Sequence, residues 1–192
     1  MIVTVPNIVP NPNEPVTEDP KMTENQVIEA LQTERAYQLR RWGIRQPDGS
    51  MAEASHSCFD FLAYCTDYSR QAVTQFSREA SSMGALNTFR KVVGLAVAAL
   101  EHAGMEPFAH LDELNINIPP HPGVGFFLMG AQSMLADATD TIGQDNSLDQ
   151  CENVHNAMKD IINLGVQCFR RYGVERRNSI KIVFNARDGE QA

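Results

Sequence analysis

The sequence has no Cys-x-x-Cys pair, no histidines at zinc-ligand spacing, no glycine-rich phosphate loop and no surplus of basic side chains. Each absence closes off a class of function. Cys58, Cys65, Cys151 and Cys168 share no knuckle spacing, so a structural zinc site is not expected. No secretory leader pattern opens the chain, and the four cysteines are expected as reduced thiols of a cytoplasmic protein. Lys and Arg number 16 against 24 Asp and Glu, a net charge of −8. That is the wrong sign for a nucleic-acid surface, which needs clustered cations. The one basic patch, Arg170 and Arg171 with Arg176 and Arg177, lies where a helix should end, and cations there offset exposed carbonyls. No uninterrupted apolar run approaches the ~20 residues of a bilayer span, and no membrane role is expected. The H-E-x-x-H, G-x-S-x-G and G-x-G-x-x-G patterns are all missing. What remains is a chain of 192 residues, 43% hydrophobic and 21% charged. It is one domain or two small ones, long enough to bury a core.

Within it, one pattern occurs twice. F-D-F-L-A-Y-C-T-D-Y-S-R-Q-A, residues 59–72, aligns with G-F-F-L-M-G-A-Q-S-M-L-A-D-A, residues 125–138, at a constant offset of 66. T-F-R-K-V-V-G-L-A-V-A-A-L-E-H-A-G, 88–104, aligns with A-M-K-D-I-I-N-L-G-V-Q-C-F-R-R-Y-G, 157–173, at an offset of 69. Three extra residues in the second connecting loop account for the change. The expected unit is therefore a helix hairpin made twice.

Periodicity and punctuation place the elements. Residues 1–22 hold five of the ten prolines and cannot be helical. They are expected as an extended arm, with a short strand at 2–5. Thr23-x-x-Gln26 is a capping box opening a first helix that runs to Trp42, where Gly43 ends it. A polar loop containing Pro47, Asp48 and Gly49 follows. Two hairpins come next, 57–104 and 123–173, joined by an irregular crossover from Pro107 to Pro122. The helical domain spans 23–173, and residues 174–192 form a second arm with a strand-like run at 180–184. Short loops between long amphipathic helices mean antiparallel hairpins. The expected fold is all-α: a bundle of two repeated hairpins plus the N-terminal helix, with extended arms suited to a protein partner or to self-association.

The first helix carries an anomaly. Ile28, Leu31, Leu39 and Trp42 define its apolar stripe, and Glu34, Arg35 and Gln38 fall inside it. A polar group facing a core must find a partner or cost a few kcal/mol. These residues are either a structural network or part of a binding site, with Glu34, Gln38, Trp42 and His56 the candidate ligand contacts. Arg90 and Lys91 are a further candidate pair for an anion.

The run E-R-A-Y-Q-L-R-R-W-G at 34–43, His56-Ser57 before F-D-F-L, and A-L-N-T-F-R-K-V-V-G-L-A-V-A-A-L-E-H-A-G at 85–104 resemble phage-encoded MazG-like proteins. These are relatives of the all-α nucleoside triphosphate pyrophosphohydrolases. The resemblance is best over 34–104 and reaches the second hairpin only through the repeat. It implies paired acids on both helices of a hairpin, holding Mg²⁺ against a triphosphate, because Mg²⁺ takes hard oxygen ligands and polarises phosphoryl oxygens. The matching positions of the first repeat are Gln71, Thr74, Thr88 and Lys91, none of them an acid. Those of the second are Asp137, Asp140, Ala157 and Asp160. Three acids survive there, but at 100° per residue Asp137 and Asp140 project opposite the Leu128–Leu135–Ile142 stripe, and Asp160 away from the Val154–Ile161–Phe169 side.

Two functions follow as expectations. One is a catalytically degraded, phage-type MazG-like module with no cofactor, binding a host factor or a nucleotide, or serving in assembly. The other is an Mg²⁺-dependent nucleoside triphosphate pyrophosphohydrolase using Asp137, Asp140 and Asp160 as metal ligands. The protein is expected to be cytoplasmic and oligomeric.

Overall fold

The computed structural model describes residues 21–52, 54–111, 118–142 and 147–174. The expected strands at 2–5 and 180–184, and most of both arms, lie outside the described residues. Five helices form within them: α1 (Glu24–Trp42), α2 (Cys58–Ser77), α3 (Ser82–His102), α4 (Val124–Asp140) and α5 (Ser147–Tyr172). The fold is an all-α helical bundle.

Helix starts follow local chemistry. Thr23 caps α1 as a full capping box, its hydroxyl accepting from the Gln26 amide while the Gln26 side chain accepts from the Thr23 N–H. Ser57 and Asp60 repeat the device at α2. These reciprocal bonds satisfy amides that have no carbonyl partner within the helix. The hydrogen bonds also hold the exposed Asp60 carboxyl below the usual range, the Ser57 backbone N–H first and its side chain next. Gly104 takes a left-handed φ of +71° just past α3, as a glycine after a helix end is expected to do.

The region read as a polar loop is a small hairpin. β1 (Ile44–Arg45) pairs antiparallel with β2 (Met51–Ala52), with Ile44 opposite Ala52. The Asp48 carboxylate accepts from the Ser50 N–H and hydroxyl, and the Gln46 N–H donates to the Ser50 carbonyl. Strands of two residues fall below what period-two patterning can register.

The two hairpins are α2–α3 and α4–α5. They pack together through α3 on α5 and α2 on α4, while α1 lies on α3 and α5. Positions related by 66 are buried in both: Phe61 and Phe127, Leu62 and Leu128, Cys65 and Ala131, Ala72 and Ala138. Those related by 69 follow suit: Ala85 and Val154, Phe89 and Met158, Val92 and Ile161, Val97 and Val166, Leu100 and Phe169. One core runs through both units, which neither hairpin could enclose alone.

Two expectations are corrected and one is refined. First, Cys58 and Cys151 form a disulfide across a Cα–Cα distance of 6.0 Å, so only Cys65 and Cys168 are thiols. Burial pushes both of those thiols well above the usual range, which makes them poor nucleophiles. Second, the expectation of no bilayer span is refined rather than overturned: α3 passes by length and composition, with a mean hydropathy of 1.2 over 18 residues, but 78% of that stretch is buried inside the bundle. Arg90 and Lys91 interrupt its apolar run, which is why no long run is visible in the sequence. Third, α4 ends at Asp140, so Ile142 lies beyond the helix and is 45% exposed rather than in the core stripe.

Candidate functional site

The buried line of α1 is Val27, Ala30, Leu31, Glu34 and Gln38. It is rotated by about one residue from the expected stripe. Ile28 and Leu39 are half-buried at its edge and Trp42 is 49% exposed. The polar residues therefore sit at the centre of the contact with α3. Glu34 is 1% exposed, and its Oε2 accepts from Arg90 Nε at 3.0 Å, Arg90 itself being 5% exposed. Arg90 is thus the cation that neutralises a buried carboxylate. Lys91 is placed with its ammonium 5.2 Å from the Tyr68 ring centre. The two do not form an anion site.

What brings α1 so close is Gly94 on α3. A Cβ there would lie 2.9 Å from Gln38 Nε2 and 3.1 Å from Glu34 Cγ. Gln38 Nε2 donates to the Lys91 carbonyl at 3.3 Å, while Gln38 Oε1 is buried without a hydrogen-bond partner. An unsatisfied buried acceptor costs about 1–3 kcal/mol. One turn away, Arg35 Nε donates to Glu101 Oε2 at 2.7 Å, fastening the outer side of α1 to the end of α3.

α1 packs on α3 but not on α2. Between α1 and α2 a cavity of about 390 Å³ remains, a volume within the range of small-ligand sites. Leu95 and Ala98 of α3 form its floor, and Gln38, Leu39 and Trp42 its α1 wall. Phe61, Tyr64 and Tyr68 face them from α2, and His56 closes the end. The His56 ring stands edge-on to Phe61 and Tyr64, with centroids 5.5 and 5.6 Å away. Its neighbour Ser57, rather than His56, is the helix cap. Of the four candidate ligand contacts, Gln38, Trp42 and His56 come together here. Glu34 sits one turn back on α1, bonded to Arg90. Phe61, Tyr64 and Tyr68 were not singled out as contacts in the sequence, although their spacing of three and four on one helix marks a shared face.

The acids of the second hairpin are arranged differently. Asp137 and Asp160 border a groove with Phe126, Met129, Gly130 and Met134. Asp137 and Asp140 are exposed, as their helical facing predicts, but Asp160 is half-buried. Burial raises its carboxyl above the usual range, with Lys159 opposing. Among the described residues no three His, Cys, Asp or Glu side chains converge to hold a metal ion. In the first hairpin the equivalent positions are committed elsewhere. Gln71 donates to Asp67, Thr88 to Gln75 Oε1, and Lys91 caps the Tyr68 ring. The first set holds no carboxylate, whereas Asp137 and Asp160 are oxygen donors of the kind Mg²⁺ takes and lie along one groove.

The chain matches no family model, no curated protein and no solved structure.

Proposed function

We propose that this protein is a non-hydrolytic binding module, MazG-like in descent, that holds a small flat molecule between α1 and the first hairpin. The observation that carries the reading is the wall of that cavity. The protein is only 7% aromatic and has a single tryptophan, yet Trp42, His56, Phe61, Tyr64 and Tyr68 converge on one cavity. Aromatic faces with one or two polar groups are how proteins grip planar ligands. Nucleosides and nucleotides are the first ligands to try, given the sequence resemblance, and a nucleotide-sensing role fits the reading. The terminal arms offer a route to a protein partner or to self-association. The setting we propose is the cytoplasm, where the Cys58–Cys151 bridge would be open to reduction.

The competing reading, an Mg²⁺-dependent pyrophosphohydrolase, draws its support from Asp137 and Asp160 bordering one groove. A single experiment separates the two. The protein is incubated with a panel of nucleosides and deoxynucleoside triphosphates with Mg²⁺, while pyrophosphate release and melting temperature are followed. The binding reading expects a ligand-dependent rise in melting temperature, as for any ligand that prefers the folded state, with no pyrophosphate released. Pyrophosphate release abolished by Asp137→Asn would overturn it.

A further inference from the structure

The second hairpin carries a face that no described residue covers. α4 has no Lys or Arg among its 17 residues, and Asp137 and Asp140 are its only charges. A surface helix ordinarily turns charged and polar residues outward. Here Phe126, Met129, Gly130 and Met134 line an open groove of about 730 Å³ together with Asp137 and Asp160. Met129, at 56%, is the most exposed large hydrophobic side chain among the described residues, and methionine is a residue of adaptable binding surfaces. The next most exposed is Ile44, at 54%, and it lies in a patch of opposite charge. Residues 38–46, Q-L-R-R-W-G-I-R-Q, hold three arginines and no acid. Arg40, Arg41, Trp42, Ile44 and Arg45 are all exposed where α1 ends and β1 begins. Two copies of a chain with a net charge of −8 repel one another unless unlike patches meet. These are two such patches: an apolar groove beside acids, and an apolar tip among cations.

We propose that two copies of this chain associate by seating the Trp42–Ile44 tip of one in the Met129 groove of the other, with Arg40 and Arg41 against Asp137 and Asp140. Burial of the two most exposed hydrophobic side chains supplies the attraction, and the unlike charges set partner and register. The two patches differ, so each copy gives one and receives one. The contact lies on the folded surface rather than on the terminal arms. It goes beyond the binding reading above and does not rest on it.

Sedimentation velocity of the full-length protein over a range of concentrations tests it. The native chain should associate, and Met129→Lys, which puts a cation on the groove, should weaken association at least about ten-fold, the worth of one buried apolar side chain. Two charge-reversed proteins test the occupant. One carries Arg40→Glu and Arg41→Glu, the other Asp137→Arg and Asp140→Arg; all four positions are exposed, so the fold should tolerate them. Each should stay monomeric alone, and an equal mixture should associate again, because the reversed tip of one then meets the reversed groove of the other. A native protein that is monomeric throughout overturns the proposal. So does association that Met129→Lys leaves unchanged; if removing residues 175–192 then abolishes it, the C-terminal arm is the contact instead. A mixture that fails to associate, where Met129→Lys has dissociated the native protein, overturns the α1 tip as the occupant of the groove.

Discussion

The two hairpins share a core and differ in what covers them. At equivalent positions Gly94 of α3 and Asn163 of α5 both point away from the shared interior. Gly94 admits α1, which brings Glu34 and Gln38 against α3. Asn163 is 3% exposed, and its Nδ2 donates to the His110 carbonyl at 2.8 Å, pinning the crossover instead. The outer face of α2 presents Tyr64 and Tyr68 to the cavity, where α4 has Gly130 and Met134. Where the pair meet, the differences compensate: Gly125 occupies the place of Phe59, and Phe76 of the other hairpin lies against it. A duplicated core constrains the inner positions alike and leaves the outer faces free to diverge. In this protein the aromatic cavity lies against the first hairpin and the groove bearing Asp137 and Asp160 along the second.

The strongest way to break the comparison is to cut the bond that ties one unit to the other. The Cys58–Cys151 bridge spans 93 residues of sequence, so a chain-entropy argument gives about 4–5 kcal/mol of stability lost on reduction. Denaturant melts with and without a dithiol reductant measure it; coincident curves would mean the bridge adds nothing. Next comes the ion pair that distinguishes the α1-covered hairpin. Arg90→Met leaves Glu34 without its buried cation and should cost about 3–5 kcal/mol, with much of that recovered in the Glu34→Leu, Arg90→Met double variant. A single-variant cost below about 1 kcal/mol would show that the pair does not seat α1.

Gly94→Asn places the second hairpin's residue in the first. Its side chain meets Gln38 and Glu34, so a loss of about 1–3 kcal/mol is expected from overpacking, together with loss of ligand binding. Unchanged stability and binding would show that α1 does not need the glycine. The smallest effect concerns the acidic side of the comparison. Because Asp160 is raised in the fold by burial, its favourable contribution is complete below the ordinary carboxyl value. That contribution is lost as pH rises through the folded value. Asp160→Asn should therefore raise the melting temperature slightly at pH 7 and leave it unchanged near pH 3. A destabilised variant at pH 7 would instead mean that the ionised carboxylate is held by a favourable partner.

Much of the architecture was legible because it is local or periodic. The Thr23 capping box and the Gly43 stop have short-range causes, and the 66- and 69-residue offsets repeat one periodic pattern. The anomaly at Glu34 and Gln38 was legible too, since polar residues inside an apolar stripe violate a simple rule. The identity of their partners was not. Arg90 is 56 residues from Glu34, and helical facing on one element says nothing of which cation on another comes to meet it. Tyr64 and Tyr68 carry no signal of a site in the sequence, because α2 buries a different face in the core; only the placement of α1 sets them beside a cavity. The pairing of Cys58 with Cys151 depended likewise on how the starts of α2 and α5 come together, which spacing does not encode.

The most direct test follows ¹⁵N–¹H spectra of the labelled protein as a nucleoside is added. The account predicts that the Trp42 indole N–H and the backbone amides of Gln38, His56, Tyr64 and Tyr68 shift together and saturate, while those of Asp137 and Asp160 stay fixed. Shifts centred on Asp137 and Asp160, with Trp42 unmoved, would contradict it.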